Sequence, residues 1–160
     1  MFVLRSARWW LLALLLLGSA FFFSARADFE DATKIDFIDN ETYPGAVYVH
    51  ITISGHTNEF LLDTGATSSA VSRKLLGKLV MNGSVAPLEK RVIELANGGL
   101  IIAWLYLIDD MVIGGCDLGA TKVLVFQGNS FNILGMADLE KMGFVGLDLE
   151  KRKMVFYCPK

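Results

Sequence analysis

From Ala46 the chain alternates apolar and polar side chains, Ala46-Val-Tyr-Val-His-Ile-Thr-Ile53, the period of a strand with one face buried. Ser54-Gly55-His56-Thr57 reads as its turn, and Glu59 to Asp63 returns as a second strand. The period then lengthens. Ser72 stands where a helix cap is needed, and Arg73 to Leu79 predicts a short helix ending before Asn82-Gly83. Lys90–Leu95 and Leu100–Leu107 are apolar-rich strand candidates around Ala96-Asn97-Gly98-Gly99, and Asn-Gly between two such runs is a strong hairpin signal. Asp109-Asp110 reads as a solvated turn. Met111–Ile113 and Thr121–Phe126 are further short strands, separated by a link containing Gly114-Gly115. Met136–Met142 predicts a second short helix, and Phe144–Leu149 and Lys153–Tyr157 a final hairpin around Glu150-Lys151-Arg152. Short strands at such close spacing predict a closed or sandwiched β fold.

The N-terminus has a different pattern. Arg5 and Arg8 precede an uncharged, strongly apolar run from Trp9 to Ala25, and Ala25-Arg26-Ala27 is a small-x-small cleavage pattern. Residues 1–27 therefore read as a secretory signal peptide, with an uncleaved membrane anchor through residues 9–25 as the alternative. Either reading exports the remainder, to the periplasm or another extracytoplasmic space, tethered to the inner membrane in the second case. Residues 28–45 are acidic and irregular and read as a tether, with Pro44-Gly45 marking the start of a folded domain over residues 46–160.

Charge narrows the function classes. The whole chain of 160 residues carries a formal net charge of −2, and all three cations of the leader are arginines, so a domain cleaved after Ala27 would carry −5. No basic stripe is left to hold a phosphate backbone, which argues against a nucleic-acid partner. Cys116 and Cys158 are the two cysteines of an exported chain; one disulfide or two buried thiols both fit the sequence. His50 and His56 flank the first predicted hairpin without a third ligand nearby, so no metal site is expected.

The chemistry-bearing stretch is Leu61-Leu62-Asp63-Thr64-Gly65-Ala66-Thr67, in which two apolar residues deliver a carboxylate onto a tight turn of small residues. Such a turn can be no more than the polar end of a strand. It is also what one half of a catalytic carboxylate pair requires. An echo at Asp117-Leu118-Gly119-Ala120-Thr121 lacks the hydroxyl residue and a delivering apolar strand, and is not read as a second catalytic acid. Ser68 and Ser69 have no histidine in a matching context, so serine hydrolysis is not supported.

The Asp63 loop, the downstream Asn132-Ile133-Leu134-Gly135-Met136-Ala137-Asp138-Leu139 and the intervening Glu94-Leu95-Ala96-Asn97-Gly98 together resemble the motifs of retropepsin-like aspartic peptidases, in order and spacing from about Val47 to Phe156. The chain is similar to the small, single-motif type of bacterial envelopes. It departs at Asp138, where relatives usually carry a bulky apolar residue.

The resemblance implies an all-β protomer, a closed small β barrel with one or two short helices, acting as a homodimer on an extended peptide or protein substrate. Asp63 would be the catalytic acid and base. Thr64 would hold the opposing loop, Gly65 and Ala66 would complete the active loop, and Ala96, Asn97 and Gly98 would form a flap. Ile133, Leu134 and Gly135 would support the loop from beneath. No cofactor or metal is implied. The reaction expected is endopeptidase hydrolysis by an aspartate-activated water, with one Asp63 from each protomer. The alternative is a non-catalytic binding or assembly module of the envelope that keeps the same fold.

Overall fold

A computed structural model describes residues 31–158. The chain divides into two units, residues 1–32 and 33–160, and nearly all of the described residues lie in the second. The N-terminal run read as signal peptide or anchor, residues 1–27, lies outside the described residues. Among the described residues no helix is long and apolar enough to cross a membrane.

The unit is mostly strand. In chain order its elements are β1 (Thr33–Asp36), β2 (Tyr48–Ile53), β3 (His56–Leu62), α1 (Arg73–Met81), β4 (Val85–Glu94), β5 (Leu100–Ile108), β6 (Val112–Ile113), β7 (Cys116–Asp117), β8 (Thr121–Phe126), β9 (Asn132–Leu134), α2 (Met136–Leu139), a 3₁₀ turn (Glu140–Met142), β10 (Val145–Asp148) and β11 (Lys153–Phe156).

The predicted alternation sets the core. In β2, Val49, Ile51 and Ile53 are fully buried while His50 points to solvent. Phe60 of β3, Leu75 and Leu79 of α1, and Met154 and Phe156 of β11 close over the same face. Each such side chain contributes about 1.5–3 kcal/mol on burial. The turn between β2 and β3 is tighter than expected. Only Ser54 (φ 47°) and Gly55 (φ 78°) lie outside the strands, both in the left-handed region that a two-residue hairpin with right-handed twist demands. Asp110, read as a solvated turn residue, accepts hydrogen bonds from both the backbone N–H (2.6 Å) and the hydroxyl (2.9 Å) of Ser54 and so pins this turn. Helix α1 starts as predicted, with the Ser72 hydroxyl accepting from the Leu75 N–H.

The strands form three ladders, β1-β11-β10, β7-β6-β2-β3-β9 and β4-β5-β8. The closed barrel expected from the sequence is therefore not formed. Among the described residues the second and third ladders are joined in backbone pairing by the short segment around Ala70, which bridges to Leu124 on one side and Ile133 on the other. Closure would require a continuous ladder between edge strands. The free edge of β4 resists that extension because it carries Pro87, which has no N–H to donate, beside an irregularity in register between Pro87 and Glu89. Part of the segment read as a tether is also folded: β1 pairs antiparallel with β11 from Thr33↔Phe156 to Asp36↔Lys153, and Ile38 bridges to Tyr48.

Candidate active site

The two sequence motifs lie side by side. β3 and β9 pair in parallel, Leu61 with Ile133 and Leu62 with Leu134. The ladder runs one step beyond the strands, where the Asp63 N–H donates to the Leu134 carbonyl at 3.1 Å. Apolar residues are required at these positions because Leu134 is fully buried and Leu62 packs against the core. The chain then turns sharply. The Gly65 N–H donates to Asp63 Oδ1 (2.9 Å), and the Ala66 N–H donates to the Asp63 carbonyl (3.2 Å).

The far side of the loop rests on the start of α2. The Met136 N–H donates to the Ala66 carbonyl (2.8 Å) and the Ala137 N–H to the Thr67 carbonyl (3.0 Å). These are helix N-terminal donors with no partner inside the helix, so the loop carbonyls satisfy them. Gly135 permits the approach: a Cβ there would lie 2.5 Å from the Ser68 carbonyl carbon.

Asp63, half-buried, stands in a cleft of about 280 Å³. Its floor is Asp63 and Gly65 to Ser68 of the loop with Ala70 and Ile133, its far wall is Leu124 and Phe126 of β8, and Ile93, Glu94, Leu95 and Ala96 overhang it. The overhang is the β4–β5 hairpin, closed by Gly98 N–H to Leu95 carbonyl and Leu95 N–H to Gly99 carbonyl, both 2.8 Å. Of the residues read as a flap, Ala96 reaches the cleft lining. Asn97 and Gly98 shape the turn, the Asn97 side chain accepting from the Gly99 N–H. Of the residues read as loop support, Ile133 faces the cleft, Leu134 the core and Gly135 the Ser68 backbone.

Thr64 is exposed and lines a different hollow of about 360 Å³, with Leu62, Met136, Leu139, Val145 and Leu147. The chain thus presents one loop aspartate in the cleft and one loop threonine on the adjoining apolar surface.

Sequence reasoning assigns no functional role to four residues that the structure brings to the site. The Ser69 hydroxyl accepts from the Gly135 N–H (3.0 Å) and donates to Asp138 Oδ2 (2.6 Å). The Thr121 hydroxyl donates to Asp138 Oδ1, and Lys141 Nζ lies 2.9 Å from the same oxygen and 2.7 Å from Thr121 Oγ1. In the sequence Asp138 stands out only as a departure from the family pattern. An acid at an interior position of an apolar helix face is the available signal, since a buried carboxylate requires partners.

Cys116 and Cys158 are joined in a disulfide with Cα atoms 5.4 Å apart, and neither lines the cleft. The echo at Asp117 repeats the side-chain turn of the active loop, with Asp117 Oδ1 accepting from the Gly119 N–H at 2.8 Å, but it sits at the β7 edge. His56 accepts from the Asn82 amide. Among the described residues no cluster of three or more histidine, cysteine or acidic side chains is placed to hold a metal ion.

A strand-borne Asp-Thr-Gly loop, a parallel apolar-apolar-Gly strand beneath it and a hairpin overhanging the cleft define the fold of a retropepsin-like aspartic protease. Comparison with known proteins agrees. The family model described as "gag-polyprotein putative aspartyl protease" matches residues 49–141, and the chain belongs to this family of retropepsin-like aspartic proteases. The fold is similar to that of a retropepsin-like aspartic protease from Rickettsia conorii, with a TM-score of 0.56 and 22% sequence identity over 79% of this chain and 91% of that one. No curated protein sequence matches the chain.

Proposed function

We propose that the protein is an aspartic endopeptidase that works as a homodimer, each protomer contributing one Asp63. The observation that carries this reading is the placement of the Asp63 carboxylate at the floor of an apolar cleft beneath a hairpin, on a loop held from three sides. A single carboxylate cannot both take a proton from water and give one to the scissile carbonyl. Two facing carboxylates cannot both ionise, so they share a proton and divide the roles, one as base and one as acid.

The surface around Thr64 supports the pairing. Beside its apolar hollow, β10 is, among the described residues, an edge strand bonded only to β11, and Leu147 and Leu149 are 43% and 69% exposed. An exposed apolar edge strand is a ready template for a second copy of the same strand. Thr64 would then reach the opposing loop across the two-fold axis. The substrate would lie extended between the paired loops and the hairpins, with main-chain hydrogen bonds for affinity and the Ile93, Leu124 and Phe126 walls favouring apolar side chains.

The basic and then apolar leader supports export, placing the domain outside the cytoplasm, released or tethered through residues 9–25. The test is cleavage of a diverse peptide library between roughly pH 4 and 7, where a shared-proton pair operates. Wild type should cut and Asp63→Asn should not. Two folded, dimeric and equally silent proteins would favour the envelope binding module instead.

A further inference from the structure

Asp138 is 1% exposed, yet nothing in hydrolysis by Asp63 uses it directly. Its carboxylate joins three separate parts of the chain. Oδ2 accepts from Ser69, in the segment that leaves the active loop. Oδ1 accepts from Thr121 at the start of β8, whose later residues Leu124 and Phe126 wall the cleft, and pairs with Lys141 one turn along the helix. Ser69 in turn accepts from the Gly135 N–H, so the chain of contacts runs Asp138, Ser69, Gly135, directly beneath the Ser68 backbone on which Gly135 rests. All described polar partners of the carboxylate belong to this network, and none of them is solvent-facing except Lys141, which is about one-third exposed.

The energetics favour a positioning role over a simple contribution to folding. Burying a carboxylate is costly, and replacing a whole buried polar network by apolar groups of similar volume is often neutral or stabilising. Such a network fixes geometry instead, because hydroxyl-to-carboxylate bonds are short and directional whereas apolar contacts tolerate sliding. The Leu124 N–H already donates to the Ser69 carbonyl at 2.9 Å, and the network adds a second tie at the Thr121 end of β8, so the exit of the active loop is set against the cleft wall at two points. We propose that Asp138 is a positioning residue for Asp63: through Ser69 and Thr121 it sets the active loop against the cleft wall, and Lys141 balances its charge. This rests on the proteolytic reading of the same site.

The experiment compares wild type, Asp138→Asn, and a triple variant, Asp138→Leu with Thr121→Val and Lys141→Met, which makes the network apolar while leaving Ser69 to accept from Gly135. Two readouts are taken. Steady-state cleavage of one peptide separates kcat from KM, and amide hydrogen exchange compares Gly65 and Ala66 of the active loop with the amides of β2.

The triple variant should melt close to wild type, yet exchange at Gly65 and Ala66 should quicken about tenfold or more relative to β2. Its kcat should fall about 10- to 100-fold with KM little changed, as expected when a reacting group is displaced by a fraction of an ångström to an ångström. Asp138→Asn, which keeps the shape, should fall between the two. Unchanged loop exchange and kcat in the folded variants would overturn the proposal, as would faster exchange spread equally over β2. If the triple variant does not fold, Asp138→Asn carries both readouts. If wild type cuts no peptide, the proteolytic reading fails by itself, and the exchange contrast still decides whether Asp138 holds the loop.

Discussion

The backbone N–H of Asp63 donates to the carbonyl of Leu134 across 3.1 Å, joining two motifs separated by most of the domain. The bond continues the parallel β3–β9 ladder into the turn and fixes the direction in which the chain leaves the sheet. The residues after Leu134 therefore govern the path of the residues after Asp63. Substituting Gly135→Ala places a Cβ 2.5 Å from the Ser68 carbonyl carbon, a backbone atom that cannot move without shifting the loop. We expect a loss of about 1–3 kcal/mol in denaturant unfolding. The proteolytic reading adds a loss of cleavage larger than the residual folded fraction explains.

The disulfide between Cys116 and Cys158 ties the β6–β7 turn to the segment after β11, across a separation of 42 residues. Cross-linking a loop of that size stabilises chiefly by restricting the unfolded chain. Cys158→Ser should therefore lower stability by about 2–4 kcal/mol relative to the oxidised protein. Unfolding of wild type with and without a thiol reductant checks this, and the variant should be insensitive to the reductant.

Asp148, at the end of β10, has its carboxyl held below the ordinary carboxylate value, first by the Lys151 backbone N–H and then by the Lys151 ammonium. A depressed folded-state value means that the ionised form is favoured by folding. The stability it contributes is present above the unfolded-state value and is lost as pH falls through the lowered folded one. Asp148→Asn should accordingly leave a shallower decline of stability in acid than wild type, with a small effect because the pair lies at the surface, where solvent screens it. Parallel urea titrations across the acid range would show it, and identical slopes would contradict it.

Much of this architecture was legible from local pattern. The β2–β3 hairpin, the Ser72 cap of α1 and strand β8 arise from alternation and capping chemistry, whereas the place of Ile133-Leu134-Gly135 beneath the Asp63 loop is implied by the family resemblance, and its parallel pairing with β3 is seen in the structure. Three features were not legible, each for a physical reason. Strand β1 has little apolar character of its own and is ordered by pairing with β11, a partner more than a hundred residues away. Strand β4 begins at Val85, earlier than its apolar run suggests, because Pro87 and a register irregularity are tolerated on an edge strand. Asp138 could be seen to break an apolar pattern, but its partners Ser69 and Thr121 lie 69 and 17 residues away and come together only in the fold.

The proposed mechanism needs two copies of Asp63 at one active site, and mixing measures that directly. Wild type and Asp63→Asn chains are combined in equal amounts under conditions that allow subunit exchange, with total chain concentration held fixed, and peptide cleavage is recorded. If each site needs an acid from both protomers, only wild-type pairs cut, and activity should settle at about a quarter of the undiluted wild-type value. Activity at about half would mean that each chain cuts with its own aspartate, and the shared-carboxylate mechanism would be wrong.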